Sequence, residues 1–330
     1  MKSFKKTYHK LVKNHAVKSL LLGGLVLVVA GSVWAAFSIS PNADTATTAS
    51  FQAEAGAKTG NVTQVADASA AGGNAVKFNA PSTGGFKANC IVKPSDCGYP
   101  DETNTGVPAG TVLTNSGSIT VTQNGAIVEN KNVTGQIIIR ANNVTIRKTR
   151  ITSGDYYPID YNGSNTGLLV EDTEIRGTSS LVTASLSFAN YTARRVYAHG
   201  AADGMKADSN VLIEDSYITG LAIGDGTHND GIQTTGGSSV TVRHNTLKLG
   251  NQSGVSAVIQ MGTEWGPNSN WLVENNLMDG GGWSINAGTQ NNTMRYLNNR
   301  FTRNAGYGTG HPSGSVWTGN YYDDNGAAVN

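Results

Sequence analysis

The chain has 330 residues, of which 41 are glycine and only 14% are charged, and its formal net charge is +1. A net charge this close to zero excludes a general electrostatic attraction to nucleic acid as the basis of function. The glycine content, with many asparagine, serine and threonine residues, argues against a helical enzyme and predicts a turn-rich all-β protein.

The first 39 residues combine a basic segment with an apolar run. Six lysines lie among the first 18 residues, and the run from Leu20 to Ala36 is almost wholly apolar. Val33 and Ala35 suit a signal-peptidase site, whereas extending the run to Ile39 makes it long enough for an uncleaved membrane anchor. Residues 1–39 are therefore predicted to be a signal peptide or a membrane anchor. Either one places the rest of the chain outside the membrane, in an extracellular or cell-surface location.

Residues 40–97 are predicted to be a linker with a short module-like remnant. The segments Phe51–Gly56 and Gly72–Phe78 resemble the opening of β-sandwich carbohydrate-binding modules. A complete sandwich of this kind needs about 100 residues, and the resemblance ends far short of that length. The segment is therefore interpreted as a remnant used as strand and linker.

Two cysteines, Cys90 and Cys97, lie close together in a loop that contains glycine and proline. In an exported chain this spacing predicts a short-loop disulfide. No histidine or further cysteine lies nearby in the sequence, so a metal site is not expected there.

From residue 98 to the C-terminus the sequence predicts β-strands. The β-branched runs Ile119–Val121, Ile127–Val128 and Ile137–Ile139 are interpreted as the first coils of a solenoid. Farther along, an Asp-Gly pair followed by an apolar residue occurs at Asp203–Met205 and again at Asp230–Ile232. Each copy precedes a strand, a small polar pair and a second short strand, and this unit recurs at intervals of roughly 21 to 31 residues.

Aligning the copies on the polar pair gives three columns of equivalent residues. Two of them are apolar in every copy, as inward positions must be if successive coils share one core. The first apolar column is Ile146, Val170, Ala193, Ile213, Val242, Val273, Tyr296 and Trp317. The second is Ile151, Ile175, Ala198, Ile218, Leu247, Met278, Phe301 and Tyr322. A turn column lies between them, with Thr149, Thr173, Ser216, Asn245, Asn276, Asn299 and Asn320, and with Val196 as its one exception.

These columns are typical of a right-handed parallel β-helix, and residues from about 110 to 326 resemble the pectin-lyase-like superfamily, in particular exported bacterial β-helix proteins. The resemblance implies the handedness, a monomer, and a polysaccharide bound along one outer strand face. Many members are lyases, hydrolases or epimerases. A β-sandwich would explain the alternation of apolar residues but not the fixed turn column. Residues 98–330 are therefore predicted to form the β-helix.

A further strand in each coil is predicted to carry the site. If its apolar residues face inward, their polar neighbours form an outward row one coil apart, about 4.8 Å per step. That row is Asp160, Ser187, Lys206, Gln233, Gln260 and Asn286. Asp203 and Asp230 are expected to stack at the start of the same strands, with His199 and His228 in the loops just upstream.

Three reactions on a polysaccharide are compatible with these residues. A lyase could use Lys206 or His228 as the base, with a cation such as Ca²⁺ on Asp203, Asp225 or Asp230 as the electron sink. An inverting hydrolase could use Asp203 with Asp230, provided that their carboxyls are about 6.5–9.5 Å apart. An epimerase would need the base and, in addition, an acid on the opposite face of the sugar ring.

Other interpretations of the same residues remain open. The two Asp-Gly pairs could be strand-initiating turns, and the amides could be a solvated ladder. Glu264 and Trp265 follow the Gln260 strand, where Trp265 could stack on a sugar ring. The alternative function is a non-catalytic, glycan-binding or adhesive surface protein, anchored in the membrane through the N-terminal segment if that segment is uncleaved.

Overall fold

The computed structural model describes residues 62–66, 74–78, 86–161, 164–224 and 228–330. The chain divides into two compact units, Met1–Phe78 and Asn79–Asn330. In the first unit, β1 (Val62–Ala66) pairs antiparallel with β2 (Asn74–Phe78). The predicted signal or anchor and the Phe51–Gly56 segment lie outside the described residues. Within the described ranges, no helix is long and apolar enough to cross a membrane.

In its described residues the second unit is all-β, apart from one 3₁₀ turn at Pro94–Cys97. Its strands, numbered in chain order, form four sheets. The ten-stranded sheet contains β3 (Thr114–Ser116), β6 (Lys131–Thr134), β9 (Arg150–Ser153), β12 (Glu174–Gly177), β15 (Tyr197–His199), β18 (Tyr217–Thr219), β21 (Thr246–Gly250), β24 (Leu277–Gly280), β27 (Arg300–Phe301) and β29 (Tyr321–Tyr322). The nine-stranded sheet contains β5 (Ile127–Glu129), β8 (Thr145–Arg147), β11 (Leu168–Glu171), β14 (Tyr191–Arg194), β17 (Val211–Glu214), β20 (Ser238–Arg243), β23 (Ser269–Glu274), β26 (Met294–Leu297) and β28 (Val316–Thr318). The five-stranded sheet contains β13 (Ala184–Leu186), β16 (Asp203–Lys206), β19 (Asn229–Thr234), β22 (Val255–Met261) and β25 (Trp283–Ala287). The three-stranded sheet contains β4 (Ile119–Val121), β7 (Ile137–Ile139) and β10 (Ile159–Tyr161).

The order of strands along the chain is cyclic. From β3 to β27 the chain visits the ten-stranded sheet, then the three- or five-stranded sheet, then the nine-stranded sheet, and returns. All pairings between the named strands of this unit are parallel, from the β3–β6 pair to the β27–β29 pair. This arrangement of stacked parallel strands is that of a parallel β-helix, as the sequence repeat predicts.

Both apolar columns are confirmed by the strand register. Along the nine-stranded sheet Val170 pairs with Ile146 on one side and Ala193 on the other. Along the ten-stranded sheet Ile175 pairs with Ile151 and Ala198 in the same way. Nearly all members of the two columns are buried, so the shared core runs the length of the solenoid. Burial of such stacked aliphatic and aromatic side chains is the main favourable contribution to folding.

The predicted turn column is also buried, and four asparagines in it form a continuous hydrogen-bonded ladder. The Nδ2 of Asn245, Asn276 and Asn299 donates in each case to the Oδ1 of the next asparagine, at 3.0, 3.0 and 3.1 Å. The same Oδ1 atoms also accept the backbone N–H of the preceding rung. Each Nδ2 donates in addition to a backbone carbonyl of an earlier coil. Buried amides that satisfy both donors and acceptors in this way hold adjacent coils in register.

A second ladder, which the apolar alignment did not anticipate, runs along the outside of the nine-stranded sheet. Register pairs place acidic and basic residues alternately on seven successive strands. In order they are Glu129, Arg147, Glu171, Arg194, Glu214, Arg243 and Glu274. Glu214 is the best buried and bonds both Arg194 and Arg243, each at 2.6 Å. Opposite charges thus face each other at every step, which favours this register over a slipped one.

The predicted disulfide joins Cys90 and Cys97, whose Cα atoms are 5.8 Å apart. The loop that it closes lies against the last coils. The backbone N–H groups of Cys90 and Ile91 donate to the carboxylate of Asp323 at 3.0 and 3.1 Å. That carboxylate also pairs with Arg300. The cysteine loop is therefore part of the β-helical unit, fixed by a buried ion pair.

The asparagine ladder gives the first testable prediction. Asn276→Ala should lower the free energy of unfolding by about 2–4 kcal/mol, because it leaves buried amide and carbonyl groups of two coils without partners. Urea unfolding followed by circular dichroism would measure the loss. The matched control is Asn115→Ala, since Asn115 also bonds an asparagine, Asn132, at 2.9 Å, but on the exposed surface. Equal losses in the two variants would contradict a structural role for the buried ladder.

Candidate functional site

Four of the predicted outward polar residues form a continuous row across the five-stranded sheet. The register pairs Lys206 with Gln233, Gln233 with Gln260, and Gln260 with Asn286. The Nδ2 of Asn286 donates to the Oε1 of Gln260 at 2.9 Å, and Lys206 Nζ donates to the Oε1 of Gln233. All four side chains are partly exposed. This row, Lys206–Gln233–Gln260–Asn286, is called the polar row below.

Asp203 and Asp230 occupy equivalent positions on the adjacent strands β16 and β19, so the predicted stacking is confirmed. Asp203 Oδ1 accepts the backbone N–H of Asp230 at 2.9 Å. Asp230 Oδ1 accepts the backbone N–H of Ala257, also at 2.9 Å. At the second of these positions the strand register shifts, between Asn229 and Asp230. Each carboxylate therefore bonds a backbone N–H group of the next strand of the sheet.

The glycines that follow these aspartates are required by close packing. A Cβ on Gly204 would lie 2.3 Å from the carbonyl oxygen of Gly231 and 2.4 Å from Ile218 Cγ2. A Cβ on Gly231 would lie 2.6 Å from the carbonyl oxygen of Val258. In the recurrent Asp-Gly pair the glycine is therefore needed for steric reasons, whereas the aspartate makes the polar contacts.

The remaining oxygens of the two carboxylates meet the polar row. Lys206 Nζ donates to Asp203 Oδ2 at 2.7 Å, and Gln233 Nε2 donates to Asp230 Oδ2 at 3.1 Å. Because Lys206 also bonds Gln233, these four residues form one network, Asp203–Lys206–Gln233–Asp230. It is called the acid–lysine network below.

Burial governs the protonation of this network. Asp230 is 0% exposed and Asp203 only 4%. Burial, together with the neighbouring Asp203 carboxylate, raises the pKa of Asp230 to about 7. Burial also raises the pKa of Asp203, although Lys206 acts in the opposite direction. Asp230 is thus able to exchange a proton near neutral pH, as acid–base catalysis requires.

Two members of the predicted six-residue row are placed differently by the structure. Asp160 lies on β10 of the three-stranded sheet, where it pairs in register with Ile138 and forms an ion pair with Arg140 at 2.6 Å. Ser187 is fully buried, so it is not an exposed rung. Alternation along each strand was inferred correctly, but it does not tell which strands share a sheet or what covers them.

The side chains of Asp203 and Asp230 are both buried. The solvent-accessible members of the acid–lysine network are Lys206 and Gln233. Lys206 Nζ has three N–H donors and uses two of them, on Asp203 and Gln233, which leaves one for a ligand.

Of the two histidines predicted beside the site, His228 is the one that lies there. His228 is exposed, immediately before β19, and its Nδ1 lies 3.4 Å from the hydroxyl of Ser256. His199 is not at the site, since it lies on β15 of the ten-stranded sheet, 3.3 Å from Glu174. His244 pairs with Asp215 at 2.6 Å, and His311 stacks on Trp317.

Glu264 and Trp265 lie in the exposed turn that follows β22. The backbone N–H of Trp265 donates to the carbonyl of Thr235 at 2.8 Å, and 67% of the tryptophan surface is exposed. They flank the end of the strand that carries Gln260. A role in contacting a ligand stays a prediction.

The predicted cation ligands are Asp203, Asp225 and Asp230. Asp225 lies outside the described residues. Within the described ranges no three His, Cys, Asp or Glu side chains are grouped as metal ligands.

Two aromatic residues at the site were missed by the sequence reasoning. Trp283 pairs in register with Ala257, which in turn pairs with Asp230, so it belongs to the same column as the aspartates. Tyr307 stands beside it, with the ring centroids 5.6 Å apart. Trp283 follows a Gly-Gly-Gly run and Tyr307 lies in a glycine-rich loop, so neither falls in a legible repeat.

A separate depression lies on another part of the described surface. It is a shallow groove of about 500 Å³ on the outside of the nine-stranded sheet, floored by residues such as Leu169 and Thr192. It adjoins the Glu/Arg ladder, in which the acidic residues have basic partners. The acid–lysine network instead lies on an open strand face.

Comparison of this chain with protein-family models, with curated proteins and with solved structures finds no match.

The raised pKa of Asp230 predicts a pH dependence of stability. An unfolded aspartate titrates near pH 4, so between about pH 4 and 7 the native state keeps a proton that the unfolded state has released. This contribution to stability is fully present below pH 4 and is lost as the pH rises to about 7, by up to about 1.4 kcal/mol per pH unit.

The test compares the wild type with Asp230→Asn, which cannot titrate, by urea unfolding at intervals from pH 4 to pH 8. The difference in unfolding free energy should move steadily in favour of the variant up to pH 7 and then level off. Parallel curves for the two proteins would show that Asp230 has an ordinary pKa.

Proposed function

We propose that the protein is an exported carbohydrate-active β-helix that binds a polysaccharide along the outer face of the five-stranded sheet and cleaves it. The polar row supports this proposal, because it offers amide donors and acceptors at a regular spacing of about 4.8 Å. A polymer that lies across the strands would meet an equivalent group at each coil.

The acid–lysine network is the observation that carries the catalytic part. Lys206 is the member that a bound ligand touches, with one free donor for a sugar hydroxyl or a leaving oxygen. Asp203 holds Lys206 in place at 2.7 Å. Asp230, whose pKa is raised to about 7, lies behind Gln233 and serves as the proton reservoir of the network.

Two reactions fit this arrangement. Hydrolysis breaks a glycosidic C–O bond with water, which leaves a hydroxyl on the anomeric carbon and a proton on the departing oxygen. Elimination removes the proton beside a uronate carboxylate, forms a C=C bond and breaks the C–O bond to the neighbouring sugar, whose oxygen departs and takes up a proton. The exposed His228 is the better placed base for it, since Lys206 donates in the network. Epimerisation would start with the same proton removal. Ca²⁺ would assist elimination or epimerisation if the Asp225 loop supplied ligands.

The spacing of the aspartates bears on the type of hydrolase. They lie on adjacent strands, about 4.8 Å apart, whereas an inverting pair needs about 6.5–9.5 Å to admit a water molecule. This spacing and their burial argue against Asp203 and Asp230 acting directly as an inverting pair.

A non-catalytic glycan-binding or adhesive function is the second candidate. It is favoured by the burial of both carboxylates and by their hydrogen bonds, since every oxygen has a partner. In that case the aspartates are structural and the polar row alone binds the glycan.

The handedness of the helix, the location of the protein and its oligomeric state are part of the same proposal. The cyclic strand order and the buried asparagine column support a right-handed helix of the pectin-lyase-like kind, because parallel crossovers are right-handed almost without exception. The disulfide supports an oxidising location outside the cytoplasm, reached through the N-terminal signal or anchor. A monomer is proposed on the same resemblance.

The experiment is a screen of the purified protein against plant, algal and bacterial polysaccharides. New reducing ends would indicate hydrolysis, and products that absorb in the ultraviolet would indicate elimination. For the active substrate, Lys206→Met and Asp230→Asn should each lower turnover about 10²-fold or more, whereas His228→Ala should do so only if the reaction is elimination.

The control is Lys248→Met, because Lys248 lies on β21 of the ten-stranded sheet, away from the site. Its turnover should equal that of the wild type. Melting temperatures measured on all variants separate lost chemistry from unfolding. Unchanged turnover in both Lys206→Met and Asp230→Asn would rule out catalysis by the network.

A further inference from the structure

The C-terminal end of the five-stranded sheet carries an exposed aromatic pair. Trp283 opens β25, and Tyr307, with 75% of its surface exposed, lies on the following coil. A parallel bridge joins Trp283 to Gly308, and the backbone N–H of Tyr307 donates to the carbonyl of Gly282 at 2.7 Å. Both aromatics therefore lie at the end of the sheet that carries the acid–lysine network.

Glycines keep the surface around the pair open. A Cβ on Gly282 would lie 3.1 Å from Tyr307 Cε2, and a Cβ on Gly310 would lie 3.5 Å from Trp283 Cε3. The tyrosine ring thus rests on bare backbone at Gly282, and the tryptophan ring extends over the glycines of the next coil. The two rings are tilted by 43° and do not stack flat on each other. Trp283 is only partly buried, so a ligand can reach it.

The polar row leads directly to this pair. Asn286, the last member of the row, lies on the same strand as Trp283. A polymer bound at Asn286 would meet the aromatic rings three residues, roughly 10 Å, away along β25. Aromatic faces accept the C–H groups of a sugar ring, and their negative quadrupole disfavours an anion.

The charges of the face point in the same direction. The basic side chain of the polar row, Lys206, already has Asp203 as its counter-ion at 2.7 Å, and a second buried carboxylate, that of Asp230, lies behind Gln233. A uronate carboxylate bound to this row would therefore add a further negative charge beside two carboxylates that share a single ammonium. Carboxylates removed from water without a cation or several donors are strongly disfavoured.

We propose that Trp283 and Tyr307 form a sugar-stacking subsite for an uncharged ring, and that the polysaccharide of this protein is a neutral glycan. The inference rests on the proposed glycan-binding function and narrows it. A neutral glycan has no carboxylate beside the scissile bond, so hydrolysis would be the reaction.

Affinity electrophoresis tests the subsite with soluble probes of both kinds. The neutral probes are galactomannan, arabinan and dextran, and the charged probes are polygalacturonate and alginate. The wild type should be retarded by a neutral probe and not by the charged ones. Trp283→Ala and Tyr307→Ala should each weaken that affinity about tenfold, whereas Trp283→Phe and Tyr307→Phe, which keep a ring, should retain most of it.

The matched control is Tyr197→Ala. Tyr197 is a partly exposed residue of the ten-stranded sheet and stacks on the buried Tyr217, with the ring centroids 5.4 Å apart. Its affinity for the neutral probe should be that of the wild type. Melting temperatures show whether each variant remains folded, and the two phenylalanine variants keep the test decisive if an alanine variant is unstable.

The outcomes separate this inference from the proposal on which it rests. Retardation by polygalacturonate or alginate alone would overturn the neutral subsite and leave glycan binding intact. So would a neutral probe bound equally well by the wild type, Trp283→Ala and Tyr307→Ala. A protein that no probe retards, and that the wider screen shows to bind and cleave nothing, would overturn the proposed function and the subsite with it.

Discussion

Parallel stacking of coils makes an inward polar group costly unless it finds a partner at the same position of a neighbouring coil or within its own. The turn column provides such partners in two ways. The hydroxyls of Thr149, Thr173 and Ser216 bond a backbone carbonyl two residues earlier. From Asn245 onward the asparagine amides bond between coils instead. The C-terminal part of the column is therefore linked coil to coil, and this is the part that supports most of the candidate site.

The same need for partners shapes the site. In a regular parallel sheet a backbone carbonyl accepts the N–H of the next strand. At Asp230 and Ala257 a carboxylate oxygen accepts it. The aspartates are consequently drawn into the sheet and away from water, and it is this burial that raises the pKa of Asp230 to about 7. A structural hydrogen bond and an unusual protonation state thus have one cause.

The fold could be predicted largely from the sequence, because each apolar column keeps apolar residues along the chain and the turn column keeps small polar residues in all copies but that of Val196. Their register in the structure is the one that the alignment gives. The strand pair of Asp203 and Asp230 was predictable for the same reason, since both copies keep the order Asp, Gly, apolar, polar.

What could not be predicted depends on three-dimensional packing. Asp160 was misplaced because the break between the three- and five-stranded sheets leaves no mark in the local pattern. His199 was misplaced because its coil is short. In such a coil the sequence does not distinguish a loop residue beside the site from a strand residue of another sheet. Trp283 and Tyr307 were missed because the glycines around them belong to no repeat. The Glu/Arg ladder could have been recognised from the sequence, but only by an alignment that also compares the outward positions.

The Glu/Arg ladder and the acid–lysine network differ in how their carboxylates are partnered by cations. This difference separates a structural role from a chemical one. On the nine-stranded sheet four glutamates alternate with three arginines, so that each glutamate lies in register beside an arginine, and the hydrogen bond from Arg147 lowers the pKa of Glu129. In the acid–lysine network two buried carboxylates share a single ammonium, that of Lys206. The second negative charge has only an amide and a backbone N–H as partners. A buried charge without a counter-ion is costly, and a proton is the means by which Asp230 can remove it. A group that gains and loses a proton near neutral pH beside a ligand-facing lysine is what acid–base catalysis needs. The glutamates of the Glu/Arg ladder each lie beside an arginine, and their arrangement is explained by the register of the coils alone.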